Sequence, residues 1–332
     1  MPPIRKISST VVSPIGFGAM ALSGFYGSVG TDEDRLAVLD AAFAAGSRHW
    51  DTADIYADSE ELMGKWFART GRRDEIFLAT KFGCNMEGGV SGSPVYMHKE
   101  FEQSLERLGV DYIDLYYIHR TPTDVSIEVT IRAMAELVEQ GRVKYLGISE
   151  CTANDLRRAH AVHPISAYQV EYSPLYLGIE KDGTLDVCRE LGITVVAYSP
   201  LARGLITGQY KSPDDFEDSD YRRIIPIASY SKENFPTVLG LVKVLEDIAA
   251  KYEATAAQVT LAWILAQGDN FVVIPGTKKV KYLHENTGGL RVQLTTEDVT
   301  AIREHANKVH LYGTRYPASA MTFGIESPAL EV

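Results

Sequence analysis

Residues Arg48-His49-Trp50-Asp51-Thr52-Ala53-Asp54-Ile55-Tyr56 read as a short buried strand that stops at an acid, followed by a loop carrying a tyrosine five residues beyond that acid. A carboxylate at a strand end with a phenol nearby is a possible start to a proton-transfer site. An acid after a strand is also a common helix cap, so the pair decides nothing alone. What the stretch does fix is a rhythm of strand, polar turn and helix. Just beyond it, residues 59–69 put Leu62, Met63, Trp66 and Phe67 on one helical face.

The rhythm extends in both directions. Residues 4–12 alternate polar and apolar positions and suit a small hairpin. Pro14-Ile15-Gly16-Phe17-Gly18-Ala19-Met20 reads as a strand ending in small residues, and Thr31 before Asp32-Glu33-Asp34 as a helix start. Further strands are expected at 76–80, 113–118, 143–148, 166–170, 193–198 and 271–274. Helices are expected at 95–108, 126–140, 153–162, 181–191, 233–251, 255–267, 280–287 and 296–307, with a Thr255…Gln258 capping box on the sixth. A polar connection at about 201–231 is long enough to be a lid, and 309–332 is an irregular tail. Eight βα units without a composition shift predict one closed (β/α)8 TIM barrel spanning 1–332 as a single α/β domain. An open doubly wound sheet is the alternative. It is weakened because Gly16-Phe17-Gly18-Ala19-Met20-Ala21 lacks the last glycine of a dinucleotide fingerprint.

Composition bounds the function. The 332 residues carry a net charge of −11, which argues against a general nucleic-acid or anionic-membrane binder. Cys84, Cys151 and Cys188 are widely spaced with no C-x-x-C, so no disulfide framework or zinc site is expected, and a reducing compartment is. No apolar signal core or 18-residue apolar run occurs, which predicts a cytoplasmic protein without membrane spans. Oligomeric state is open.

In a closed barrel, residues at the C-terminal ends of the strands share one mouth. Asp51, Lys81 and His119 each follow a strand directly, with Tyr56 on a loop beside them. A lysine ammonium near a phenol favours its ionised form and makes it a better acid. A carboxylate holds that lysine, and a histidine beside the phenol can orient a carbonyl oxygen. The set suits protonation of an oxyanion formed by hydride attack on C=O. No H-E-x-x-H or metal-ligand spacing is present, and no metal is expected. Lys278, Lys279 and Lys281 before a helix start suggest a local phosphate site on an otherwise acidic chain.

Those residues, with Ala79-Thr80-Lys81, Asp111 to Arg120, Gly147-Ile148-Ser149, Tyr198 to Gly204 and Ile274-Pro275-Gly276-Thr277, resemble an aldo-keto reductase along nearly the whole chain. The style is similar to the branch of perakine and pyridoxal-type reductases. The resemblance implies NADPH-dependent reduction of an aldehyde or ketone, with Asp51, Tyr56, Lys81 and His119 as a tetrad and Tyr56 as general acid. It implies that Ser149 and Gln169 bond the nicotinamide carboxamide, Tyr198 stacks on its ring, and Leu201 and Gly204 wrap the pyrophosphate. It implies that Thr277 and a lysine, Lys279 first, hold the 2′-phosphate, with Glu285 and Asn286 at the adenine. Gly18, Ala19, Met20, Asp51, Ser199, Pro200, Ile274 and Gly276 complete the cofactor set. Phe25, Tyr26, Phe82, Arg120, Tyr312 and Tyr316 are candidate walls for a small carbonyl substrate. Glu150 stands where many members have asparagine. The resemblance also admits a cofactor-binding regulatory or scaffold subunit, similar to potassium-channel β subunits.

Overall fold

The computed structural model describes residues 3–84, 89–218, 220–224, 227–315 and 325–330. A hairpin comes first, β1 (Arg5–Ile7) against β2 (Thr10–Val12), with Ser8 at a positive φ of 52° in its turn. Eight parallel strands follow: β3 (Phe17–Gly18), β4 (His49–Asp51), β5 (Phe77–Phe82), β6 (Ile113–Ile118), β7 (Val143–Ser149), β8 (Ile165–Glu171), β9 (Thr194–Tyr198) and β10 (Phe271–Val273). They pair in chain order, and bridges Ile15↔Val273 and Gly18↔Gly276 join the last strand to the first. Backbone bonds Gly16 N–H to Val273 O (2.8 Å) and Val273 N–H to Pro14 O (3.0 Å) lie on the same seam. The sheet is a closed (β/α)8 barrel, as the eight apolar runs predict.

The seam requires glycine. A Cβ on Gly18 would lie 2.7 Å from the Ile274 carbonyl oxygen, and one on Gly276 would lie 2.6 Å from that of Gly18. Neither backbone oxygen can yield without parting the strands.

Side chains alternate across each strand, so two apolar layers form. Phe77, Ala79, Leu115, Ala167, Val196 and Val272 point into the barrel and pack with Ile7 and Val12 of the hairpin. Trp50, Leu78, Tyr116, Ile118, Leu146 and Ile148 point out against the helices. The same alternation puts Asp51, Lys81, Ser149, Gln169, Glu171 and Tyr198 in the inward register, level with the mouth.

Most helices fall where expected. Thr31 and Thr255 make full capping boxes, the latter with Gln258, and Gly71, Gly109 and Gly192 end their helices in the left-handed region. The helix expected from residue 181 starts at Thr184, after a 3-10 turn at Gly178–Glu180. The connection after β9 is a chain of short helical turns, anchored by buried Phe216, Ile227 and Tyr230. The tail carries no helix or strand among its described residues. Ser327 ties it down, because its hydroxyl and N–H both donate to Asp155, at 2.8 and 3.0 Å. No described helix is long and apolar enough to cross a membrane.

Candidate active site

The inward register of β5 carries Lys81 to the top of the barrel lumen, where its side chain has no solvent contact. Its Nζ donates to Asp51 Oδ1 at 2.5 Å and to the Thr52 carbonyl at 2.6 Å. Burial pushes the ammonium below its ordinary range, and Asp51 opposes that push. The other oxygen of Asp51 accepts from Gln169 Nε2 at 2.7 Å. Gln169 therefore has one of its two amide N–H groups engaged inside the protein.

Tyr56 sits above this pair on the loop after β4, partly open to the cleft. Lys81 Nζ lies 4.9 Å from its ring centroid, and the His119 ring stands edge-on at 5.6 Å. Phe25 packs on its other side at 6.1 Å. Burial and then the charge of Asp51 raise the pKa of Tyr56, and Arg120 opposes them. The phenol is a firmly protonated donor. His119 is buried and pushed well below its usual range by desolvation, then by Arg120 and Lys81, so it is a neutral imidazole at neutral pH. Its Nδ1 has no hydrogen-bond partner among the described residues.

From Tyr56 and His119 a cleft of about 1460 Å³ runs across the mouth to Glu285 and Asn286. That exceeds the roughly 300–1000 Å³ usual for a single small ligand. Gly18, Met20, Asp51, Ser149, Gln169, Tyr198, Ser199, Pro200, Leu201, Gly204, Ile274, Gly276, Thr277, Lys279, Glu285 and Asn286 all line it. Ala19 is buried beside it, its N–H donating to Asp51 O at 2.9 Å. The helix from Val280 to Gly288 begins without a side-chain cap, which leaves N–H groups facing the cleft end where Lys279 and Lys281 stand exposed. Lys278 is engaged elsewhere: its Nζ donates to the carbonyls of Tyr26 (2.5 Å) and Ser28 (2.7 Å), tying two banks of the cleft together.

Of the candidate substrate walls, Phe25, Tyr26 and Arg120 line the cleft. Phe82 does not. It is one register from Lys81, so it points outward and stacks on Tyr116 at 5.1 Å in the helix-facing core. Tyr312 does not either: it is 72 % exposed, and its backbone is held by Asn234 on the outside of the long connection. Tyr316 lies outside the described residues.

Glu150, singled out in the sequence as a departure from asparagine, sits at a positive φ of 56° with its carboxylate behind the cleft wall, accepting from the Tyr198 hydroxyl at 2.6 Å and from Arg315 at 2.8 Å. Sequence reasoning missed several other groups here. Glu171, next inward on β8 after Gln169, is paired with Arg203 at 3.6 Å and Arg315 at 3.5 Å. Arg222 braces the long connection through the Arg203 carbonyl (2.8 Å) and Tyr210 (3.1 Å), over the rings of Phe216 and Tyr26. Asp54, in the opening motif itself, has its carboxyl raised to about 8 by burial and by Glu60 and Glu100.

The model of the aldo/keto reductase family matches residues 14–307. The chain belongs to that family. It is 56 % identical to aldo-keto reductase str7 of Strobilurus tenacellus, across 99 % of this chain and 98 % of the relative. It is 49 % identical to aldo-keto reductase yakc [NADP(+)] of Schizosaccharomyces pombe, across 96 % and 95 % of the two chains. Among solved structures, the glycerol dehydrogenase of Gluconobacter oxydans superposes with a TM-score of 0.83 at 27 % identity, covering 93 % of this chain and 96 % of its own. This aldo/keto reductase is thus an oxidoreductase by family, with the residues just described at its mouth.

Proposed function

We propose that this aldo/keto reductase reduces an aldehyde or ketone to an alcohol with NADPH, and that Tyr56 is the general acid. The observation that carries the reading is the Lys81–Asp51 pair beneath a protonated phenol that opens into the cleft beside a neutral imidazole. The NADP(+) in the name of the Schizosaccharomyces relative supports the choice of cofactor. So does the fit of the cleft. Its floor at the seam is bare glycine backbone, and its far end offers helix N–H groups and exposed lysines suited to a 2′-phosphate.

When bound, reduced nicotinamide supplies hydride to the carbonyl carbon. The protein's part is to hold the carbonyl oxygen and to deliver a proton. His119, neutral, donates a hydrogen bond to that oxygen from its one ring N–H without adding charge. Tyr56 gives its proton to the oxygen as negative charge develops there. Lys81 stabilises the resulting phenolate, and Asp51 and the Thr52 carbonyl hold the ammonium in place. The high phenol pKa keeps Tyr56 protonated through the physiological range, and the nearby cation limits the cost of ionising it transiently. Phe25, Tyr26 and Arg120 form the wall around the carbonyl.

Tyr56→Phe tests the acid. Carbonyl reduction should fall by roughly 10²–10⁴-fold, while NADPH binding, followed by fluorescence, stays close to that of the unmodified protein. Near-normal turnover would remove Tyr56 from the mechanism. Tight NADPH binding by the unmodified chain, with no turnover of any aldehyde or ketone in a broad panel, would favour the binding-subunit alternative.

A further inference from the structure

Glu150 directly follows Ser149, which lines the cleft, yet its own carboxylate is turned behind the wall and is only 6 % exposed. Three donors hold it: the Tyr198 hydroxyl at 2.6 Å, the Glu171 backbone N–H at 3.1 Å and Arg315 Nη2 at 2.8 Å. Tyr198 faces the cleft with its ring, so a full negative charge sits one hydrogen bond behind that surface. The second acid of the cluster, Glu171, is shared by Arg315 and Arg203. Arg120, on the cleft wall, is the next cation to act on it. Arg315 thus bridges both carboxylates, and it comes from the tail, beyond the span of the family match. Its position is built rather than incidental. Just upstream, Asn234 clasps the backbone N–H and C=O of Tyr312 at 2.9 and 2.8 Å, and the Thr314 carbonyl accepts from Ala228 N–H at 3.1 Å.

Oxidised nicotinamide carries a positive charge on its ring and reduced nicotinamide does not. A fixed charge behind the ring's platform therefore discriminates between the two forms, and a neutral pair does not. Building on the cofactor reading above, we propose that Arg315 is a positioning residue that cancels the charge of Glu150 behind Tyr198. The C-terminal tail thereby sets the relative affinity of the site for NADPH and NADP⁺. Without Arg315, Glu150 loses that cation while Arg203 stays on Glu171, and the excess negative charge favours the oxidised form. Without the carboxylate of Glu150, the excess is positive and favours the reduced form.

The test is a set of dissociation constants for NADPH and NADP⁺, measured by titration calorimetry on the full chain at one ionic strength. Arg315→Gln should raise the ratio Kd(NADPH)/Kd(NADP⁺) by roughly fivefold. Glu150→Gln should lower it by a similar factor, Arg315→Lys should leave it within about twofold, and the double variant Arg315→Gln/Glu150→Gln should return it to within about twofold of the starting value. A packing role alone would weaken both forms alike. An unchanged ratio, or single variants that move it in the same direction, would overturn the proposal. Where Arg315→Gln does not fold, Glu150→Gln should still lower the ratio and Arg315→Lys should still leave it within about twofold. If the unmodified chain binds neither form, the cofactor reading itself falls, which is a separate result from an unchanged ratio.

Discussion

The mouth of the barrel holds two clusters of buried charge that are built differently. In the first, Lys81, Asp51 and Gln169 all stand on strands, in one inward register, with contacts of 2.5 and 2.7 Å. In the second, Glu171 stands on β8, but Glu150 and Arg203 occupy left-handed turns after strands and Arg315 comes from the tail. Two residues of β8, Gln169 and Glu171, link one cluster to the other. The strand-borne cluster has one cation bonded to one acid. In the loop-borne cluster Arg315 pairs with both acids, Arg203 also holds Glu171, and two neutral donors also hold Glu150, so the loss of one group there leaves partial compensation. A pair fixed by strand register is stiff and irreplaceable, whereas a pair assembled from loops is buffered and can be tuned.

That difference predicts unequal responses. Lys81→Met leaves Asp51 buried without its cation and should cost roughly 3–5 kcal/mol of stability and nearly all turnover. Adding Asp51→Asn should restore most of the stability but none of the turnover, as read by urea denaturation and NADPH oxidation. Equal stability in the single and double variants would mean that the pair is not the unit described. Arg315→Gln should cost only roughly 1–2 kcal/mol, because Arg203 remains on Glu171 and the Tyr198 hydroxyl and Glu171 N–H remain on Glu150. A loss as large as that of Lys81→Met would erase the contrast between the clusters.

At the far end of the cleft the effects should be smaller still. Lys279→Ala is expected to weaken NADPH binding by roughly tenfold with NADH binding unchanged. Lys278→Ala, whose ammonium already bonds two backbone carbonyls, should change that preference little. Equal effects of the two variants on the NADPH-to-NADH ratio would return Lys278 to the phosphate site. The remaining prediction concerns Asp54, and the size of its effect depends on pH. Its folded pKa, about 8, lies above the ordinary carboxyl range, so the folded state holds the proton more tightly than the unfolded one. The stability this confers is complete below about pH 4 and is lost as pH rises through about 8. Asp54→Asn should therefore keep a higher melting temperature near pH 9, with the gap closing as pH falls. A constant gap across that range would show that Asp54 is already ionised.

What could be read from the residues follows the same division. Lys81 and Gln169 lie on parallel strands that pair in chain order, and Asp51 with them. Once eight strands are counted, alternation places all three at one mouth. His119 follows β6 in the same way. Applied strictly, the same rule excludes Phe82, which sits one position past Lys81 and faces the helices. No periodicity places Arg315 against Glu150 or Lys278 against Tyr26 and Ser28. Those contacts depend on how irregular segments cross the mouth, and their ends are pinned by side chains such as Asn234 that carry no motif. The fold and the strand-end residues were legible for one reason, a repeating geometry. The charge cluster and the Lys278 tie between the cleft banks were hidden for want of one.

The seam has a consequence for how the molecule is made. Ile15 and Gly18 pair with Val273 and Gly276, so the first barrel strand finds its second neighbour only when nearly the whole chain exists. During synthesis the growing sheet therefore carries an open edge beside β3 until the last strand emerges. A ribosome stalled before residue 271 would release a curled sheet with two unpaired edges and no shared mouth, a species prone to stick to its own kind. The bare glycines that let the banks of the seam meet are thus also the clasp that turns an adhesive sheet into an enclosed one.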